Sequence, residues 1–76
     1  MEEYPTKRLM QYAAYKGISI SAFERSIGKA PSYLRNSKDI TSSVMDALKK
    51  KYPDLSINWL ITGKGSMIND IVRINI

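Results

Sequence analysis

Ser32, Tyr33, Arg35 and Asn36 fall within five consecutive residues, and together they carry side chains able to hydrogen-bond to nucleic acid. Asn can bind adenine through two bonds, and Arg can bind guanine or a phosphate. Ser donates to or accepts from many base edges, while Tyr offers its hydroxyl to phosphate or its ring to a thymine methyl. Lys29 precedes this group, Pro31 opens it, and Lys38 follows it. Cations at those places suit phosphates and would make binding strongly salt dependent. No competing chemistry is visible. The chain has no Cys and no His, which removes thiol nucleophiles, thiolate metal sites and the commonest acid/base group. Its seven carboxylates form no close motif with metal or acid/base spacing. The expectation is a protein that is not an enzyme, with no cofactor, no metal and no evident small-molecule ligand.

Such residues need a scaffold that presents them outward, and residues 18–36 read as two short helices joined by a tight turn at Gly28. That is the outline of a helix-turn-helix, whose second helix enters the major groove while the first crosses the backbone. Ser19 supplies the cap of the first of these helices, with Ile20, Phe23 and Ile27 on one face. The N–H groups behind Ser19 are candidates for a phosphate. Gly28 suits a turn that asks for positive φ or close backbone approach. The second helix is expected over residues 31–36, with Pro31 in its first turn and Leu34 facing inward.

Three further helices frame the pair. Thr6 is the expected cap of a first helix with Leu9, Met10, Ala13 and Ala14 at helical spacing, stopped by Gly17. Thr41 or Ser42 caps a fourth, with Val44, Ala47, Leu48 and Tyr52 on one face before Pro53. Ser56 caps a fifth, where Leu55 and Leu60 form a hydrophobic staple and Gly63 terminates it. Beyond Gly65, Val72, Ile74 and Ile76 alternate at strand period. The expected division is a domain over residues 1–66 and a tail over 67–76, either a linker stub or a strand that pairs with a second copy.

The chain carries a net charge of +5 over 76 residues, and between Thr6 and Lys64 eleven Lys or Arg face four acids. This surplus suits a polyanion. Lys49, Lys50 and Lys51 sit where cations complement the end of the fourth helix, and are read as a solvated helix end. Tyr4, Tyr12, Tyr15 and Tyr52 are read as packing residues. The segment from Gly63 to Ser66 lacks the first glycine of a phosphate-binding loop and follows a helix instead of a strand. No run approaches the roughly twenty apolar residues of a membrane span. Met1-Glu2-Glu3 has the wrong sign for a leader. A cytoplasmic location is expected.

With these elements assembled, Phe23 to Gly28, then Pro31 to Leu34, Tyr52-Pro53 and Ile57-Asn58-Trp59-Leu60-Ile61-Thr62-Gly63-Lys64-Gly65 with Met67 resemble the helix-turn-helix domain of the XRE, or lambda-repressor-like, family. The likeness runs over residues 6–67 and is nearest to phage-type repressors of Bacteroides-like bacteria. The resemblance implies an all-α, five-helix domain that binds double-stranded operator DNA as a symmetric homodimer and regulates transcription, most often by repression. Larger relatives continue into a self-cleaving serine peptidase domain, so the chain is either the N-terminal part of a longer regulator or a small stand-alone protein. Three positions depart from the family pattern. Ile20 replaces a Gln that helps hold a phosphate, Lys29 replaces an apolar residue, and Glu24 replaces a small one. Glu24 near the groove would repel phosphates unless paired with a cation such as Arg35.

The DNA-contacting residues expected on this reading are Ser19, Lys29, Pro31, Ser32, Tyr33, Arg35, Asn36 and Lys38. The competing expectation is a protein-binding module, antitoxin- or anti-repressor-like, that kept the fold and weakened its DNA affinity. Ile20 and Glu24 are the residues that favour it.

Overall fold

A computed structural model of the chain describes residues 4–69. These form an all-α domain of five helices: α1 (Pro5–Lys16), α2 (Ile20–Ser26), α3 (Tyr33–Asn36), α4 (Ser42–Lys51) and α5 (Ile57–Thr62). α1 is the central element and packs against α2, α3 and α5. One apolar core joins Leu9, Tyr12 and Ala13 of α1 to Phe23 and Ile27, Leu34, Val44 and Leu48, and Leu55, Trp59 and Leu60.

Local chemistry accounts for most helix ends. Ser19, Thr41 and Ser56 accept hydrogen bonds from the backbone N–H groups of Ala22 (3.2 Å), Val44 (3.4 Å) and Trp59 (3.2 Å), so each satisfies an otherwise orphaned donor of the first turn. Leu55 and Leu60, on either side of the Ser56 cap, are both buried in the core. Gly28 takes φ +78°, and a Cβ there would meet nothing within 4 Å. Backbone conformation, not close approach, is therefore what requires glycine at this turn.

Two expectations about helix starts are corrected. Thr6 does not cap α1, which begins at Pro5 with Tyr4 as its cap residue. Proline's fixed φ and missing N–H suit that first position, and Thr6 is free to be buried and donate its hydroxyl to the Ser37 carbonyl at 2.6 Å. The second correction is that α3 starts at Tyr33, so Pro31 lies in the preceding turn and Ser32 is the cap residue.

Polar groups also fasten the core. Arg8 is buried, and its guanidinium donates to the carbonyls of Leu60 (2.8 Å) and Ile61 (3.2 Å) at the end of α5. Tyr12 packs edge-on against Phe23 and Tyr52, with ring centroids 6.1 and 5.7 Å away, and donates its hydroxyl to Asp54. Burial, then that hydrogen bond, pushes the Tyr12 phenol well above its ordinary pKa, so it stays a neutral donor. Lys16 completes the group with an ion pair to Asp54 at 3.0 Å.

Residues 67–69 fold back on the segment before α5. Leu55 and Ile68 form an antiparallel bridge, the Ser56 N–H donates to the Met67 carbonyl at 2.9 Å, and the Asn69 N–H donates to the Asp54 carbonyl at 2.7 Å. Met67 and Ile68 pack against the core. The alternating Val72, Ile74 and Ile76 lie outside the described residues. No helix among the described residues is long and apolar enough to cross a membrane.

Candidate nucleic-acid interface

The α2–turn–α3 unit positions most of the residues singled out from sequence. Phe23 of α2, Ile27 at its end and Leu34 of α3 are buried, and Tyr33 is half buried. Ser32, Arg35 and Asn36 are exposed. Arg35 and Asn36 project from α3 away from the buried Leu34, and Ser32 stands at the cap position just ahead of the helix. Pro31 is exposed in the turn ahead of them.

The turn itself is held by Glu24, whose placement overturns the sequence expectation. Instead of facing the outside and repelling phosphates, its side chain is only 1 % exposed. One carboxylate oxygen accepts from the Ser32 N–H at 3.1 Å, and the other accepts from the Leu34 N–H at 2.9 Å. Its backbone carbonyl accepts from the Lys29 N–H at 2.9 Å. No pairing with Arg35 is involved. Ser32 cannot do this work: it sits in the left-handed region at φ +75°, and its side chain makes no capping bond.

Tyr33 is also placed differently from expectation. The tyrosine is half buried, and its hydroxyl oxygen is buried without a hydrogen-bond partner. Burial raises the pKa of this phenol, while the nearby Thr41 backbone opposes the shift. The hydroxyl is therefore withdrawn from any phosphate in this conformation. The ring instead serves Lys29, whose ammonium lies 5.1 Å from its centroid.

Lys38 makes a similar contact, 5.1 Å over the Tyr4 ring. Cation–π contacts at a protein surface contribute about 0.5–1 kcal/mol, enough to orient an ammonium without burying its charge. Ser19 Oγ accepts from the Ala22 N–H, which leaves its O–H free to donate outward beside the backbone N–H groups of the first turn of α2.

Sequence reasoning missed two contributors. The position and charge of Glu24 argue for solvent, because a carboxylate eight residues before a helix's cap residue can hold that helix only if the intervening turn folds back. Lys7 was not singled out at all. The Thr6–Ser37 bond brings the start of α1 beside the end of α3, and a cleft of about 260 Å³ there has Lys7, Arg35, Asn36 and Lys38 in its lining. This contact joins residues 31 positions apart and leaves no local signature.

The basic end of α4, Lys49, Lys50 and Lys51, is exposed in the last helical turn, separate from this cleft. Among the described residues no group of three or more acidic side chains could hold a metal ion. No protein-family model, curated protein or solved structure matches the chain.

Proposed function

We propose that this protein is a sequence-specific DNA-binding regulator of transcription, a repressor of the phage type, with α2 and α3 as a helix-turn-helix. The observation that carries the reading is that Arg35 and Asn36 of α3, with Ser32 at its cap, are exposed while Leu34 between them is buried. Lys29 and Lys38 stand at the two ends of that helix and Lys7 beside it. In this arrangement α3 enters the major groove, Arg35 and Asn36 meet base edges, and the lysines meet phosphates on the groove walls. Pro31 and Ser32 lie at the leading end of the helix, and the first turn of α2 approaches the backbone through its N–H groups.

The polar outward face supports base reading over protein docking. Protein-binding surfaces draw their energy from clustered Trp, Tyr and Arg anchors, and α3 exposes a single arginine beside Asn36 with its tyrosine half buried. The same domain in two copies, as in a symmetric dimer, would place two such helices about 34 Å apart, one turn of duplex.

Titration of a short DNA duplex into ¹⁵N-labelled protein, followed by amide chemical shifts, tests the location of the interface. Shifts concentrated at the start of α2 and from Lys29 to Lys38 are expected. Shifts concentrated instead at Lys49 to Lys51 would move the interface to the end of α4 and refute the reading.

A further inference from the structure

We propose that Glu24 is a positioning residue for base recognition: its carboxylate fixes where α3 begins, and with it the placement of Ser32, Arg35 and Asn36. The inference rests on the DNA-binding reading for its consequence, although not for its geometry.

α3 has four residues, a single turn, and a helix that short cannot sustain itself because nucleation is costly and its first N–H groups have no partner inside the helix. The chain ahead of it supplies little help. Pro31 has no N–H, and Ser32 is held at φ +75° with no side-chain cap. The local backbone bonds are Tyr33 N–H to the Ala30 carbonyl at 3.2 Å and Asn36 N–H to the Ser32 carbonyl at 3.0 Å.

Glu24 supplies what is missing. It receives the N–H groups of Lys29, Ser32 and Leu34, the first on its carbonyl and the other two on separate carboxylate oxygens. One residue of α2 thereby holds the beginning of the turn, the cap position and the second residue of α3. A carboxylate there also complements the partial positive charge of a helix start. The side chain is 1 % exposed, so water has little room to replace it. The neighbouring Phe23 is fully buried and anchors α2 against the core, which gives the carboxylate a firm base.

Base recognition and phosphate contact differ in their tolerance. Bidentate bonds to bases need groups held to about half an ångström, whereas a long lysine can follow a displaced phosphate. A residue that fixes α3 without touching DNA should therefore govern discrimination between sequences more than affinity for DNA in general.

Glu24→Gln tests this on the intact chain. The substitution keeps the shape and one acceptor oxygen, and sets an NH₂ group against one of the two backbone donors. Two readouts are taken together: amide hydrogen exchange, and the ratio of affinities for a selected duplex and a scrambled one. The expected result is exchange faster by about tenfold or more at Ser32, Leu34 and their neighbours, with core amides such as Leu9 and Leu48 unchanged. The affinity ratio is expected to fall by about tenfold at an unaltered salt slope, a tenfold change being ~1.4 kcal/mol.

Unchanged exchange at Leu34 would overturn the proposal, as would a uniform rise in exchange across the domain with discrimination retained, which describes a residue needed only for stability. If the wild-type chain selects no sequence, the DNA-binding reading fails by itself, and the exchange pattern still decides whether Glu24 positions α3. Should Glu24→Ala fail to fold, the near-isosteric Gln variant carries the test.

Discussion

Ser32 offers a way to separate stability from recognition at a single position, because its backbone and its hydroxyl have different roles. Its φ of +75° is the one positive value at a non-glycine residue among those described, and the left-handed conformation costs an L-residue roughly 1–2 kcal/mol. Ser32→Gly removes that cost, but glycine also gives the unfolded chain more freedom, which returns about 0.4–1 kcal/mol. The midpoints of the two ranges leave a net stabilisation of about 0.8 kcal/mol. For a domain of this size that is a rise in Tm of about 3–6 °C.

Ser32→Ala keeps the strained conformation, and the lost hydroxyl makes no capping bond, so stability should stay within about 0.5 kcal/mol of wild type. Urea denaturation and thermal melts of the three proteins measure the order. Both variants lack the hydroxyl, so if Ser32 reads a base they must alter base preference alike while their stabilities diverge. A Gly variant no more stable than wild type would refute the left-handed geometry. An Ala variant less stable by more than 1 kcal/mol would show that the hydroxyl carries a bond in the folded protein, contrary to this account.

Other expectations concern the phosphate contacts and the core. Lys29→Ala and Lys38→Ala should each weaken binding to all sequences and lower the slope of log affinity against log salt by about 0.9, as fluorescence anisotropy across a salt series would show. Arg8→Met removes buried charge-assisted bonds to the Leu60 and Ile61 carbonyls; a loss of roughly 2–4 kcal/mol, visible as a strongly lowered Tm, is expected.

At Asp54, partial burial acts to raise the carboxyl pKa, but the hydrogen bonds from Tyr12 and Lys16 and the Lys16 charge outweigh it and hold the group below its ordinary 3.8. A carboxyl with a folded pKa below its unfolded value stabilises fully above the unfolded value, and that contribution is lost as pH falls through the folded one. Thermal melts should thus lose stability as pH drops below about 4, and Asp54→Asn should flatten that decline while lowering stability at neutral pH.

What could be read from the sequence was what local chemistry decides. Ser19, Ser56 and the Thr41 alternative at the fourth helix cap as expected, since a hydroxyl three residues before an amide donor is a short-range pattern. Phe23, Ile27, Leu34, Val44, Leu48, Trp59 and Leu60 are buried as their periodicity implied. The failures share a cause. Thr6 has the type of a cap, but α1 starts at Pro5, two residues earlier than a Thr6 cap implies, and Thr6 serves a carbonyl of residue 37.

Glu24 was misplaced because its charge argued for solvent, and only the folded turn shows the two N–H groups that make burial favourable. The hydroxyl of Tyr33 and the approach of Lys7 to α3 likewise depend on contacts between separate helices. The exposure of Ser32, Arg35 and Asn36 could be anticipated from their types and spacing, whereas the residue that orients them could not.

Selection of bound sequences from a random duplex pool, run at two salt concentrations with wild type and Asn36→Ala in parallel, tests most directly whether α3 reads bases. An enriched motif that persists at the higher salt is expected for wild type, with an altered preference at one position of that motif for Asn36→Ala. A pool that shows no enriched sequence at either salt concentration, or a motif that Asn36→Ala leaves unchanged, would contradict base reading by α3.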